Sequence, residues 1–161
     1  MSKRQVKIYP RFERIWHWTQ ALLILVLLFT GMGLNGLHHI IPFGPAVIFH
    51  TIAALLLLVL WIFATFWLFT TGTWRQFVPT LDGLVDVIRF YAYGVFKGEK
   101  HPHKKVIWRK HNPLQILAYF GLKVAVFPLV WITGILYMTY NFWEHIPDAG
   151  FYLNIVANLH L

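Results

Sequence analysis

From Ile15 to Trp74 the chain runs sixty residues without a single Lys, Arg, Asp or Glu. Soluble domains place a charged residue at about every fourth position, so no water-soluble fold of this size can hide such a run. At about 1.5 Å per residue, twenty apolar residues cross a ~30 Å hydrocarbon layer. The stretch therefore implies an integral membrane protein, and an all-α one, because a helix satisfies its own backbone polar groups in lipid. Composition agrees. The chain is 58% hydrophobic and 12% charged, against about 45–50% and about 25% for ordinary domains.

Four apolar stretches emerge, at residues 15–34, 46–69, 113–140 and from 151 onward. Together they predict a four-helix transmembrane bundle in a single domain, residues 1–161, whose fourth helix is only begun at Leu161. Asn112-Pro113 reads as a helix start, N-cap followed by Pro in the first turn. The formal charge of +8 does not point to nucleic acid. Five of the fourteen basic residues lie in residues 1–14 and eight in residues 70–112, beside the apolar runs. By the positive-inside rule the N-terminus and the long middle loop are cytoplasmic, which predicts a multi-pass protein of the cytoplasmic (inner) membrane of a prokaryote. The basic start resembles that of a signal peptide, but its apolar continuation is too long, so the segment is expected to be retained. Leu81, Leu84, Val85, Ile88, Ala92 and Val95 form one stripe, with Asp82, Asp86 and Arg89 off it. That pattern predicts an amphipathic helix over residues 81–96, lying in the cytoplasmic interface or docked on a partner subunit. No internal repeat is visible.

There is no cysteine. This excludes disulfides, cysteine-held iron–sulfur clusters, zinc-thiolate sites and C-x-x-C-H haem attachment. A metal cofactor would have to use His, Met or oxygen, and nine histidines are present. Six of them, His38, His39, His101, His103, His111 and His145, fall in loops or at their edges and are expected to be solvated or interfacial. His17, His50 and His160 lie within apolar helices, where an imidazole needs partners. His50 and His160 fall at comparable depth near the outer side, so together they could ligate one haem iron from both faces. His17 lies near the cytoplasmic side and belongs to a different level. Fourteen residues advance a helix about 21 Å and return within about 40° of the same face. Gly31 lies fourteen residues after His17, where a missing side chain could let a flat macrocycle approach or could simply pack helices. Arg11 and Arg14 could pair with haem propionates or serve as ordinary positive-inside anchors. Lys123, ten residues into the third helix, is either a functional intramembrane charge or a snorkelling lysine.

Arg14-Ile-Trp-His17-Trp, His50, Asn112-Pro-Leu-Gln115, Pro128, Thr133-Gly134 and Asn158-Leu-His160 carry a resemblance over essentially the whole chain. It resembles the di-haem cytochrome b subunit family of membrane-bound formate dehydrogenases, nickel–iron hydrogenases and thiosulfate reductases. The resemblance implies a four-helix bundle with two b haems, one near each face. It makes His17 the helix-one ligand, His50 the helix-two ligand and His160 the first of two on helix four. It further implies quinone exchange near the inner haem, with Asn112 and Gln115 at positions matching the quinone pocket. The second helix-four histidine of the family falls fourteen residues beyond His160, so one haem is fully ligated within these residues and His17 would share the other with that later histidine. With no Cys here, an iron–sulfur or c-type haem subunit is the partner that would exchange electrons with it. Two other functions compete: a small transporter with His17, His50 and Lys123 along an ion path, and a haem-free anchor for a partner enzyme.

Overall fold

The computed structural model describes residues 9–104, 106 and 109–160. Lys3, Arg4 and Lys7 of the basic start, Lys105, and Leu161 fall outside the described residues. Among the described residues every regular element is helical, with one isolated bridge between Val106 and Arg109. The chain divides into two compact units, Met1–Arg75 and Gln76–Leu161.

The first unit is a helical hairpin of α1 (Arg11–Leu34) and α2 (Phe43–Thr70). Both helices begin earlier than their apolar runs. Pro10 precedes α1 as its N-cap residue, and Arg11 opens the helix. In α2, Pro45 falls within the first turn, where its missing N–H costs nothing, so the helix starts at Phe43. Gly36 adopts φ +77°, and Leu37 N donates to Met32 O at 2.9 Å. That left-handed residue past the helix end satisfies the last carbonyls of α1. Ala46, Ala53, Leu57, Ala64 and Leu68 are the buried residues of α2, spaced seven and four apart along one stripe. Three of the five are alanine. In lipid, where burying apolar surface drives little, small residues let backbones approach and pack. His50 lies in this same stripe, between Ala46 and Ala53. Trp18, Leu22 and Leu25 on α1 and Phe63 and Phe66 on α2 are exposed, as expected of helices facing an apolar solvent.

The second unit contains α3 (Leu84–Ala92), α4 (Pro113–Gly121), α5 (Phe127–Met138), α6 (Tyr140–Trp143) and α7 (Ala149–His160). The helix expected over residues 81–96 is shorter. The chain leaves helical geometry at Tyr93, with φ −142° and ψ −48°, and continues as a 3-10 turn over Gly94–Lys97. Its expected stripe, including Leu81, Val85 and Ile88, is exposed, while Val87 and Phe90 are buried and α3 packs on α4. The helix is thus apolar on two sides, and the sequence periodicity showed only the wider one.

Asn112 caps α4. Its Oδ1 accepts from Gln115 N at 2.8 Å, and its own N–H donates to Gln115 Oε1 at 3.1 Å, a reciprocal capping box. Between α4 and α5 the helix widens into a π turn over Leu122–Val126, where Phe127 N donates to Leu122 O. Pro128 follows at once. It has no N–H and its ring crowds the carbonyl four residues back, and the widened turn relieves that crowding. With this turn included, Pro113–Met138 joins Arg11–Leu34 and Phe43–Thr70 as three helices long and apolar enough to cross a membrane, with mean hydropathy 1.9, 1.6 and 2.6. α7 packs on α5 and buries Ala149 and Val156. His160 continues that stripe, eleven residues after Ala149 and four after Val156.

Candidate functional site

Each unit seats one helical histidine in the same way. In the first, the Nδ1 of His50 lies 2.9 Å from Thr30 Oγ1. Thr30 is 2% exposed, and its hydroxyl donates to Val26 O at 2.7 Å. A hydroxyl has one hydrogen. Since that hydrogen is committed to the backbone, Thr30 can only accept from His50, so Nδ1 carries the ring proton. Next along α1, Gly31 leaves space for the ring: a Cβ there would lie 3.4 Å from His50 Cε1.

The second unit repeats the arrangement. His160 Nδ1 lies 3.0 Å from Thr133 Oγ1 and 3.1 Å from Val130 O. Thr133, 3% exposed, donates its hydroxyl to Leu129 O at 2.7 Å. Both neighbours of Nδ1 are therefore acceptors, and the proton again sits there. A Cβ on Gly134 would come within 2.9 Å of His160 Cε1. In both seats the ring proton on Nδ1 makes Nε2 the unprotonated nitrogen of a neutral imidazole. A neutral imidazole held through its Nδ1–H is the form that ligates a metal, so the donor set fits an axial ligand to haem iron. Sequence reasoning flagged the histidines but missed Thr30 and underread Thr133. The available signal was a Thr-Gly pair on each outgoing helix.

At Gly31 the missing side chain makes room for the His50 ring of the neighbouring helix, which is the packing alternative open to it. The Thr-Gly/His seat occurs twice, at different spacings along the chain.

His17 is exposed on α1 and meets Trp18 edge-on at a centroid distance of 5.6 Å. Arg11 and Arg14 line an open depression of about 510 Å³ with Ile15, Trp18 and Thr19. Asn112 is 3% exposed; beyond the capping box, its amide donates to Tyr91 Oη at 3.3 Å. Tyr91 in turn lies 3.3 Å from His101 Nε2. Lys123 sits in the π turn with Nζ 5.1 Å above the Phe77 ring, and His111 packs between Phe77 and Tyr119 at 5.1 and 5.2 Å. His38 stacks on Phe29 at 4.5 Å and donates from Nε2 to Phe29 O at 2.8 Å. His38, His101 and His111 are thus packed rather than simply solvated, while His39 and His145 are exposed. Among the described residues no three His, Asp or Glu side chains gather into a group that could hold a metal ion.

Long apolar helices and two Nδ1-anchored imidazoles describe a membrane-type chain whose histidines could serve as metal ligands. Residues 8–161 match the family described as prokaryotic cytochrome b561, and the chain belongs to that family. That family and the long apolar helices together suggest a membrane haem b electron-transfer protein. It is also 28% identical over 141 residues to a protein of Escherichia coli (strain K12) named "Putative cytochrome YdhU", a match covering 82% of this chain and 52% of that protein. The chain thus spans about half the length of the curated relative it matches. No solved structure matches it.

Proposed function

We propose that this chain is the haem b subunit of a quinone-linked oxidoreductase, of the type found with formate dehydrogenases, nickel–iron hydrogenases and thiosulfate reductases. In this reading His50 and His160 are the two axial ligands of one haem b near the outer membrane face, and His17 ligates a second near the cytoplasmic face. The observation that carries it is the duplicated seat, in which a buried threonine holds Nδ1 of a helix-borne imidazole in each unit. Bound there, haem b supplies one-electron redox chemistry. The chain's own residues do the rest: they hold the imidazoles, exclude water with apolar helices, and offer Arg11 and Arg14 to anionic groups at the cytoplasmic interface. With no Cys in these 161 residues, the iron–sulfur or c-type haem that would exchange electrons with it belongs, in this reading, to another subunit.

Quinone exchange near Asn112 and Gln115 rests on the resemblance. The capping box already engages both amide oxygens, and that duty alone accounts for the two residues. The transporter alternative gains no support: His50 is anchored to Thr30 and Lys123 lies over an aromatic ring. A cytoplasmic N-terminus completes the proposal, supported by the placement of the basic residues.

Two experiments test this. Purified in detergent, the reduced protein should show the α-band of bis-His b haem, and a quinol analogue should reduce it; a featureless visible region would leave only the anchor reading. Cysteines introduced at Ser2 and Asn141 should label from opposite sides of intact cells, and labelling of Ser2→Cys by an impermeant reagent would invert the topology.

A further inference from the structure

We propose that Thr30 and Thr133 are positioning residues that strengthen His50 and His160 as electron donors to a haem iron and so hold its redox potential down. The proposal rests on the haem-ligand reading above and adds the residues that tune the ligands. Each threonine lies in the middle of a relay of two hydrogen bonds. In the first unit, His50 Nδ1–H donates to Thr30 Oγ1 at 2.9 Å, and Thr30 O–H donates to Val26 O at 2.7 Å. In the second, His160 Nδ1–H donates to Thr133 Oγ1 at 3.0 Å, and Thr133 O–H donates to Leu129 O at 2.7 Å.

Consecutive hydrogen bonds polarise one another, most strongly where water is excluded, and both threonines are almost fully buried. Pulling the Nδ1 proton toward oxygen moves electron density into the ring and raises the basicity of Nε2. A more basic ligand favours the more positive, oxidised iron over the reduced one. The same contacts fix which nitrogen carries the proton and, with Gly31 and Gly134 against the ring edges, fix the rotation of each ring. A threonine that merely filled space would do neither. A hydroxyl bonded back to its own helix is common in apolar helices, but here its remaining acceptor capacity is aimed at an imidazole from the neighbouring helix, and this occurs twice.

The test uses the full-length protein purified in detergent with the subunits it retains. Thr30→Val keeps the side-chain shape and removes the acceptor, while Thr30→Ser keeps the hydroxyl. The readouts are the midpoint potential followed at the α-band and the low-temperature EPR g-values of the oxidised haem. We expect Thr30→Val to weaken the oxidised-over-reduced preference roughly tenfold, in line with the usual weight of such outer contacts. For a one-electron couple that is a rise of about 59 mV. Thr30→Ser should restore the wild-type value. Thr133→Val should shift the same way but less, because the Val130 carbonyl remains 3.1 Å from His160 Nδ1.

Unchanged potential and g-values in Thr30→Val would overturn the proposal. If Thr30→Val loses the haem, recovery at the wild-type potential in Thr30→Ser supports it, and loss in both variants overturns it. Full haem retention in His50→Ala would instead remove the ligand reading on which this rests. Haem loss there, with Thr30→Val unchanged, would remove the positioning role alone.

Discussion

The α1–α2 hairpin and the α5–α7 hairpin reach the same imidazole geometry with little else in common. The first joins its helices through a short loop and packs them along an alanine-rich stripe. The second inserts α6 and a residue of positive φ, Asp148 at 58°, and begins beside a π turn. What they share is a buried threonine followed by glycine on the outgoing helix and a histidine on the returning one. The seat is therefore a local device, portable between hairpins, and the rest of each helix is free to serve lipid or partners. The hairpins also differ in clearance. A Cβ on Gly134 would stand 2.9 Å from the ring and one on Gly31 3.4 Å. The His160 seat is tighter, and it has a carbonyl beside Nδ1 in addition to the threonine.

That difference predicts unequal responses to the same substitution. In Gly134→Ala the ring must retreat or the helices must part, an overpacking cost of about 1–3 kcal/mol. The expected result is a fall in haem content of roughly fivefold or more, since 1.4 kcal/mol is a factor of about ten. Gly31→Ala brings only close van der Waals contact, and its loss should stay below that range. Haem quantified per purified chain decides the matter. Equal occupancy in the two variants would mean the seats do not differ in the way the clearances indicate.

The smallest effect concerns a feature the first unit lacks. Neither α1 nor α2 has a side-chain cap, whereas α4 opens with the Asn112–Gln115 box. Asn112→Ala should cost about 1 kcal/mol, read as a lowered thermal midpoint in detergent, with haem content unchanged. Quinone kinetics measured on the same variant sharpen the comparison. Unchanged rates in both Asn112→Ala and Gln115→Ala would leave capping as the whole role of the pair.

The membrane helices and the α4 cap were legible in the sequence because their causes are local: a charge-free run, and an Asn-Pro pair with glutamine at the third helical position. Helix ends moved by a few residues because Pro45 is tolerated inside a first turn. The seats were not legible because their causes are tertiary. Gly31 could be related to His17 by counting along one helix, but the ring that fills its space belongs to another. The recurrence of the seat has a related cause. Gly31 precedes His50 by nineteen residues and Gly134 precedes His160 by twenty-six, so no fixed period aligns them. Pro128 signals a disturbed helix, yet nothing local says that the chain answers with a π turn around Lys123. The packing of His38 onto Phe29 likewise depends on how the loop folds back, which charge and hydropathy do not record.

The proposed function makes His50 and His160 ligands of a single haem. It is tested most directly by counting haems per chain in His50→Ala, His160→Ala and the double variant. If both imidazoles ligate the same iron, each single variant loses one haem equivalent and the double variant loses no more than that same one. Two equivalents lost in the double variant, or full haem content in either single variant, would contradict the account.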